Sequence, residues 1–166
     1  REILPDVSVF ASGDIDEWEI SRLKNNNAQI DGYGIGTRLV TGKPVNGVYK
    51  LVEIEGIPVM KQSSGKVSYP GRKQIFREFV KGELKKDTLG LVSENYPDKQ
   101  PLLKIFMKNG RRLEAPCTID TISKRTAATL ASLSPQIINL DSSTSMPVEI
   151  STSLQQLIEK TANSEQ

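Results

Sequence analysis

Two short glycine-containing clusters, Ser12-Gly13-Asp14 and Gly34-Ile35-Gly36-Thr37, have the residue types of a phosphate- and sugar-binding site. Glycine lets a ligand approach backbone N–H groups closely, and a phosphate accepts several such hydrogen bonds at once. The Asp14 carboxylate can accept hydrogen bonds from two vicinal sugar hydroxyls. Taken singly, Gly-x-Gly also suits an unliganded turn, and Asp14 also suits a helix cap. Together the clusters favour ligand binding, and the candidate binding residues are Ser12, Gly13, Asp14, Gly34, Gly36 and Thr37.

The second cluster is not a dinucleotide-binding fingerprint. Leu39 occupies the position of the third glycine, and no clear transition from strand to helix follows Gly36 in the sequence pattern.

The elements on either side of the clusters predict how they are positioned. Residues 7–11 form a short apolar run typical of a buried strand, and a second short strand is expected at about residues 30–33. Between them, Asp16 is placed to cap a helix, with Glu19 as the reciprocal partner of a capping box. The run from Asn25 to Asn27 is expected to end that helix. Because the strands of a strand–helix–strand unit are parallel, both clusters are expected at the same edge of the sheet, where ligands of parallel α/β folds bind.

The pattern changes after about residue 42. Residues 47–60 predict a hairpin that turns at Glu55-Gly56, and residues around 102–112 predict another that turns at Asn109-Gly110. Helices are expected over 119–133 and 151–162, the second with its N-cap at Ser151 or Ser153. Between the hairpins, a basic loop from Lys61 to Lys73 suits either a clamp for an anionic substrate or an ordinary exposed loop. The sequence thus predicts an α/β piece over 1–42 and a mostly antiparallel, β-rich α+β domain over 43–166.

Composition excludes several function classes. The 166 residues contain 22 basic and 20 acidic side chains, and this net charge of +2 is too small to indicate nucleic-acid binding. Apolar runs are short, so no contact with a membrane is expected. The single cysteine, Cys117, rules out an internal disulfide and suits a reducing, cytoplasmic environment. Because the chain contains no histidine, it can supply no histidine base, histidine metal ligand or serine–histidine triad.

The first residues predict that the chain is part of a longer enzyme. Arg1 to Leu4, followed by Pro5, read as the last turn of a helix. A parallel unit of some forty residues also needs cover on both faces of its sheet, which this chain does not provide. An N-terminal portion is therefore expected as a partner.

The longer motifs resemble the nicotinate phosphoribosyltransferase family. The resemblance covers residues 1 to about 80 and becomes weaker after them. Its motifs are Val9 to Glu17, Ala28 to Thr41, Gly47 to Val52, Met60-Lys61, Ser63-x-Gly65-Lys66, and Tyr69-Pro70-Gly71-Arg72-Lys73-Gln74-x-x-Arg77.

The resemblance implies an enzyme that joins nicotinate to phosphoribosyl pyrophosphate, with ATP hydrolysis through a phosphohistidine and with Mg²⁺. It also implies an irregular TIM-like α/β barrel, a split second domain and a homodimer. By motif, Gly13 and Asp14 would contact the ribose, and Gly36 and Thr37 the 5-phosphate. Lys61 and Arg72 are candidate anion contacts without an assigned role. The phosphohistidine and the nicotinate-binding arginine would lie on earlier barrel strands, so this chain alone would be inactive.

Two alternatives stay open from the sequence. A relative that uses nicotinamide or quinolinate would share the sugar-phosphate residues, although the Tyr69 to Lys73 motif favours nicotinate. A non-catalytic subunit could have kept a phosphate site without the chemistry.

Overall fold

A computed structural model describes residues 6–44, 46–63 and 66–164. The chain divides into two compact units, Arg1–Val48 and Tyr49–Gln166. The predicted helical turn over residues 1–5 lies outside the described residues, as does Gly65. The sequence-based boundary after residue 42 stays a prediction about the complete protein.

The first unit contains the expected strand–helix–strand arrangement. Its elements in chain order are β1 (Phe10–Ser12), α1 (Glu17–Asn25), β2 (Gly32–Gly34) and the one-turn helix α2 (Thr37–Val40). β1 and β2 are parallel, as predicted, and pair Phe10 with Gly32, Ala11 with Tyr33 and Ser12 with Gly34. The short α2 corrects the expectation that no helix follows Gly36.

The prediction of buried strands is wrong for this unit. The Phe10 side chain is 72% exposed, and Val7 and Val9 are exposed as well. Among the described hydrophobic residues of the unit, Ile15 alone is classed as buried. The physical reason is that, among residues 6–44 and 46–48, no second layer covers the faces of the two-stranded sheet, and a single layer cannot bury its own side chains.

Local hydrogen bonds explain where α1 begins and ends. Asp16 caps it as predicted, because Oδ1 accepts a bond of 2.9 Å from the backbone N–H of Glu19. The reciprocal half of the capping box, a bond from the backbone N–H of Asp16 to the Glu19 carboxylate, is wrong as a prediction. The Glu19 carboxylate accepts bonds from Arg22 instead. Asn26 is the C-cap, and Asn27 takes the left-handed backbone conformation that stops the helix.

The second unit contains ten short or medium strands and three helices among its described residues. The strands are β3 (Glu53–Ile54), β4 (Ile57–Pro58), β5 (Gln62–Ser63), β6 (Lys66–Val67), β7 (Lys73–Val80), β8 (Glu83–Leu91), β9 (Lys99–Pro101), β10 (Met107–Lys108), β11 (Arg111–Arg112) and β12 (Val148–Ile150). The helices are α3 (Ile119–Ala131), α4 (Pro135–Ile138) and α5 (Thr152–Asn163).

Both predicted hairpin turns are confirmed. Glu55-Gly56 and Asn109-Gly110 have positive φ at both positions, which is the conformation that two-residue hairpin loops favour. The strands that they join are only two residues long. The predicted loop from Lys61 to Lys73 contains the small β5–β6 hairpin, so its description as a simple loop is wrong.

The main sheet has the strand order β12-β8-β7-β9. β7 and β8 form a long antiparallel hairpin that turns at Lys81-Gly82, and β9 pairs antiparallel with β7. β12 joins the other edge in parallel to β8. The sequence pattern did not predict β7, β8 or β12. The observed fold class is mixed α/β with mostly antiparallel pairing in this unit, and the TIM-like barrel stays a prediction.

The buried apolar side chains on the main sheet and α5 are few. Phe76 and Leu84 are buried on the sheet, and Leu154 of α5 is fully buried. Of the two predicted caps of α5, Ser151 is the one observed, and its hydroxyl accepts a bond of 3.1 Å from the backbone N–H of Leu154. The cap and the buried leucine therefore fix the start of α5 together.

Candidate functional site

The two glycine-containing clusters lie side by side. Ser12 is the last residue of β1 and Gly34 the last residue of β2, and they face each other in the parallel register. A Cβ placed on Gly34 would lie 3.1 Å from the Ser12 Cβ, so the two backbones approach closely at this point. The carboxyl ends of both strands thus open toward the same edge of the sheet. We call this edge, residues 12–14 and 34–37, the strand-end corner.

The loop after β1 turns sharply because of two left-handed residues. Gly13 has a φ of +103° and Asp14 a φ of +46°. The first value strongly favours glycine, and aspartate is one of the few residues that tolerate the second. Buried Ile15 and the helix cap Asp16 follow directly and anchor the loop from its far side. This geometry holds Asp14 exposed at the corner.

The backbone after β2 is open to a ligand. A Cβ placed on Gly36 would meet no atom within 4 Å, so packing within the chain does not explain the glycine. Gly36 is the N-cap of α2 and makes no side-chain capping bond. The first N–H groups of such a turn need partners from outside the helix. Thr37 lies in this turn, and its carbonyl accepts bonds from the N–H and hydroxyl of Thr41.

The polar side chains of the corner are exposed and available. Within the part of the chain that the structure describes, no hydrogen bond joins the side chains of Ser12, Asp14 or Thr37 to the protein. Hydroxyl, carboxylate and backbone N–H groups therefore converge from two adjacent strand ends. Such a set can accept bonds from sugar hydroxyls at Asp14 and donate bonds to a phosphate near Gly36 and Thr37.

A cavity of about 680 Å³ also lies in this unit, and the residue that it shares with the corner is Ile35, which is not one of the polar or glycine candidates. Its walls are largely apolar and include Trp18, Ile35 and Leu39, with Arg38 beside them. We assign ligand binding to the corner rather than to this cavity. The corner combines the unexplained glycine at 36 with unpartnered polar groups, whereas apolar walls also suit packing against further protein.

Lys61 and Arg72 lie in the second unit. The Arg72 side chain is 73% exposed, and its Nε donates a bond of 2.8 Å to Oε1 of Glu53. The backbone of Lys61 exchanges bonds with Ser68, whose hydroxyl and N–H both take part. The role of both cations in anion binding stays a prediction.

Lys73 has a structural function that the sequence did not indicate. Its Nζ donates bonds of 2.6 Å to the carbonyl oxygens of Tyr69 and Gly71, with Pro70 at 3.4 Å. Partial burial lowers the pKa of this ammonium. Gly71 has a φ of +74° and donates its N–H to the carbonyl of Val52. Lys73 therefore holds the turn from Tyr69 to Arg72 in one conformation. In the sequence, Lys73 was recognisable only as part of a basic run.

A second network, also missed from the sequence, joins β8 to α5. Glu94 accepts bonds from the hydroxyls of Tyr96 and Ser151, at 2.6 and 2.7 Å, and from the N–H of Leu91. Partial burial acts to raise the pKa of Glu94, but these three bonds outweigh it and lower the pKa. No local pattern could have revealed contacts between residues so far apart in the chain.

The described ranges contain neither a cluster of metal ligands nor a membrane-spanning helix. No group of three or more His, Cys, Asp or Glu residues lies close enough there to hold a metal ion. No helix of the same residues is long and apolar enough to cross a membrane.

Comparison with known proteins gives consistent matches. The family model described as "Nicotinate phosphoribosyltransferase C-terminal domain" matches residues 92–158. Nicotinate phosphoribosyltransferase pncB2 of Mycobacterium tuberculosis is 42% identical over 154 residues, which are 89% of this chain and 33% of that protein. Nicotinate phosphoribosyltransferase of Rattus norvegicus is 36% identical over 119 residues, covering 68% of this chain and 22% of that one.

A solved structure agrees with the sequence matches. The structure of human Nicotinic Acid Phosphoribosyltransferase superimposes with a TM-score of 0.76 at 26% identity, covering 98% of this chain and 34% of that chain. The chain thus spans about a third of the length of the relatives that match most of it.

Proposed function

The chain belongs to the nicotinate phosphoribosyltransferase family, whose C-terminal part it matches, and on that premise we propose that the complete protein transfers a phosphoribosyl group to nicotinate. The products would be nicotinate mononucleotide, a precursor of NAD, and pyrophosphate. The observation that supports a part for this chain is the pairing of Ser12 with Gly34, which brings both polar clusters to one edge.

In this proposal the strand-end corner binds the donor. Asp14 accepts hydrogen bonds from the ribose hydroxyls, and the backbone around Gly36 and Thr37 binds the 5-phosphate. During transfer, the pyridine nitrogen forms a bond to the anomeric carbon while pyrophosphate leaves with the electron pair of the broken C–O bond. Positive charge develops on the ribose, so a fixed carboxylate and an anchored phosphate position the electrophile and stabilise that charge. Asp14 would position the sugar and transfer no proton.

The coupling to ATP is part of the same proposal. The resemblance implies a phosphohistidine, and since this chain has no histidine, that residue would come from another part of the protein. ATP would supply the phosphoryl group for it. The described residues do not form a metal site by themselves, so we derive no step through Mg²⁺. Mg²⁺ commonly binds through substrate phosphates with few protein ligands, and we propose that it enters with the donor.

We further propose that the protein is a homodimer in the cytoplasm, and that this chain requires the N-terminal portion for activity. The single exposed Cys117 supports a reducing location.

Steady-state assays of the full-length protein with nicotinate, nicotinamide and quinolinate test the proposal. Phosphoribosyl pyrophosphate is the donor in each assay, with and without ATP. We expect turnover with nicotinate and stimulation by ATP. A clear preference for nicotinamide or quinolinate would overturn the assigned acceptor. No turnover with any of the three pyridines would instead support a non-catalytic subunit.

A further inference from the structure

The second unit contains a cavity of about 450 Å³ between the β7–β9 edge of its sheet and α3. A backbone bond of 2.8 Å, from the N–H of Leu84 to the carbonyl of Ser132, ties the end of α3 to β8 and closes one side of the cavity. Its volume is within the range of small-molecule sites. The phosphoribosyl-transfer proposal does not use this cavity.

The polar side chains that line the cavity are cationic or neutral, and they can donate hydrogen bonds. Arg77 uses Nε and Nη2 in two bonds to the Asp87 carboxylate, at 2.9 and 2.8 Å, and keeps Nη1. Gln100 faces Arg77 across the β7–β9 pair. Arg125 lines the cavity from α3, and no acidic partner is found for it among residues 6–44, 46–63 and 66–164. With Arg77 neutralised by Asp87, the Arg125 charge is uncompensated.

The remaining wall is apolar. Phe79, Leu102 and Ala128 contribute to it, and Phe79 is 39% exposed. An exposed aromatic ring beside an unpaired guanidinium suits a ligand with an anionic group at one end and a flat or apolar body at the other.

We propose that this cavity is a second ligand site, which binds a small organic phosphate through Arg125 and Gln100 and the body of that ligand against Phe79 and Leu102. The guanidinium and amide would donate bonds to the phosphate oxygens. A phosphate is favoured over a carboxylate because the Arg125 guanidinium, the Gln100 amide and the remaining Nη1 of Arg77 offer more donors than two carboxylate oxygens use well.

Isothermal titration of the full-length protein with phenyl phosphate tests the site. The probe combines a phosphate with an aromatic body, and inorganic phosphate and phenol are titrated separately. Arg125→Ala removes the proposed contact from an exposed helix face. Lys124→Ala, one residue away, removes the same charge outside the cavity and is the matched control.

We expect phenyl phosphate to bind more tightly than either part alone. Its affinity should fall about tenfold or more in Arg125→Ala and change less than twofold in Lys124→Ala. Binding at the strand-end corner would persist equally in both variants, so the difference between them reports the cavity. Equal affinities in the two variants, or inorganic phosphate binding as tightly as phenyl phosphate, would overturn the proposal.

Discussion

Ser12 and Gly34 end two parallel strands at the same level, and a side chain on Gly34 would lie 3.1 Å from the Ser12 Cβ. This pair brings together two clusters that are separated by 19 residues in sequence. The close approach of the two strands leaves little room for a side chain at residue 34. Glycine fits there and leaves the backbone at this end of the strand uncovered.

Asp14→Asn should raise the KM for phosphoribosyl pyrophosphate in the full-length enzyme by about tenfold or more, because hydrogen bonds to a charged acceptor contribute about 1.5–3 kcal/mol. Asparagine tolerates the left-handed conformation of this residue, so the fold should be kept. Glu17→Gln, three residues away on exposed α1, controls for the loss of one negative charge. An unchanged KM in Asp14→Asn would remove Asp14 from the donor site.

Gly36→Ala should weaken donor binding without destabilising the protein. The new Cβ meets no atom within 4 Å, but it would occupy space that the 5-phosphate needs. Gly47→Ala is the matched control, because that position is equally open and lies outside the corner. Donor affinity and melting temperature are measured for both. If Gly36→Ala binds the donor as well as Gly47→Ala does, the phosphate does not lie against residue 36.

Ser151→Ala should lower the free energy of unfolding by about 1–3 kcal/mol. The hydroxyl both caps α5 and donates to Glu94, so its removal leaves the N–H of Leu154 without its capping partner and takes from Glu94 one of its three donors. Ser153→Ala, two residues further along and exposed, should change the free energy of unfolding by less than about 0.5 kcal/mol. Urea unfolding followed by circular dichroism gives both values. Similar effects of the two substitutions would show that the cap contributes little.

Acid should weaken the link between Glu94 and α5. The folded pKa of Glu94 lies below its ordinary value of 4.5, so its contribution is present above that value and disappears as pH falls through the folded pKa. The urea concentration at the unfolding midpoint should therefore decrease when the pH is lowered below about 4.5. The Glu94→Gln variant should show less of this pH dependence than the wild type. Parallel pH profiles of wild type and Glu94→Gln would contradict the prediction.

Lys73→Met should destabilise the second unit by about 1–3 kcal/mol, because the backbone carbonyls of Tyr69 and Gly71 lose their donor. Methionine keeps most of the side-chain length and packing. Lys85→Met is the control, since Lys85 makes only an exposed ion pair with Glu83. Thermal unfolding of the two variants gives the comparison, and equal melting temperatures would show that the three-carbonyl contact is not needed.

Features that depend on a few neighbouring residues were predictable from the sequence. The Asp16 and Ser151 caps and the turns at Glu55-Gly56 and Asn109-Gly110 were all found where predicted. Each needs only a side chain within hydrogen-bond reach of the next turn, or residues that accept positive φ. The parallel pairing of β1 with β2 was also correct, because the helix between them leaves few other arrangements.

The main sheet was not predictable in the same way. β12 pairs with β8 although Val148 and Asp87 are far apart in sequence, and β7 has many charged side chains that hide its alternation. Strand formation depends on cross-strand neighbours more than on intrinsic preference. The reciprocal bond of Glu19 failed for a related reason, since Arg22 offered a stronger, charged partner.

The sequence by itself determined the family resemblance, the absence of histidine, the local caps and turns, and the residues of the candidate corner. Only the tertiary structure decided that Ser12 faces Gly34, that Ser151 reaches Glu94 across 57 residues, and that Lys73 binds the carbonyls of its own loop. A cap or turn is specified by residues next to one another, whereas these contacts exist only after strands and helices have packed and fixed distances of a few ångströms between distant parts of the chain.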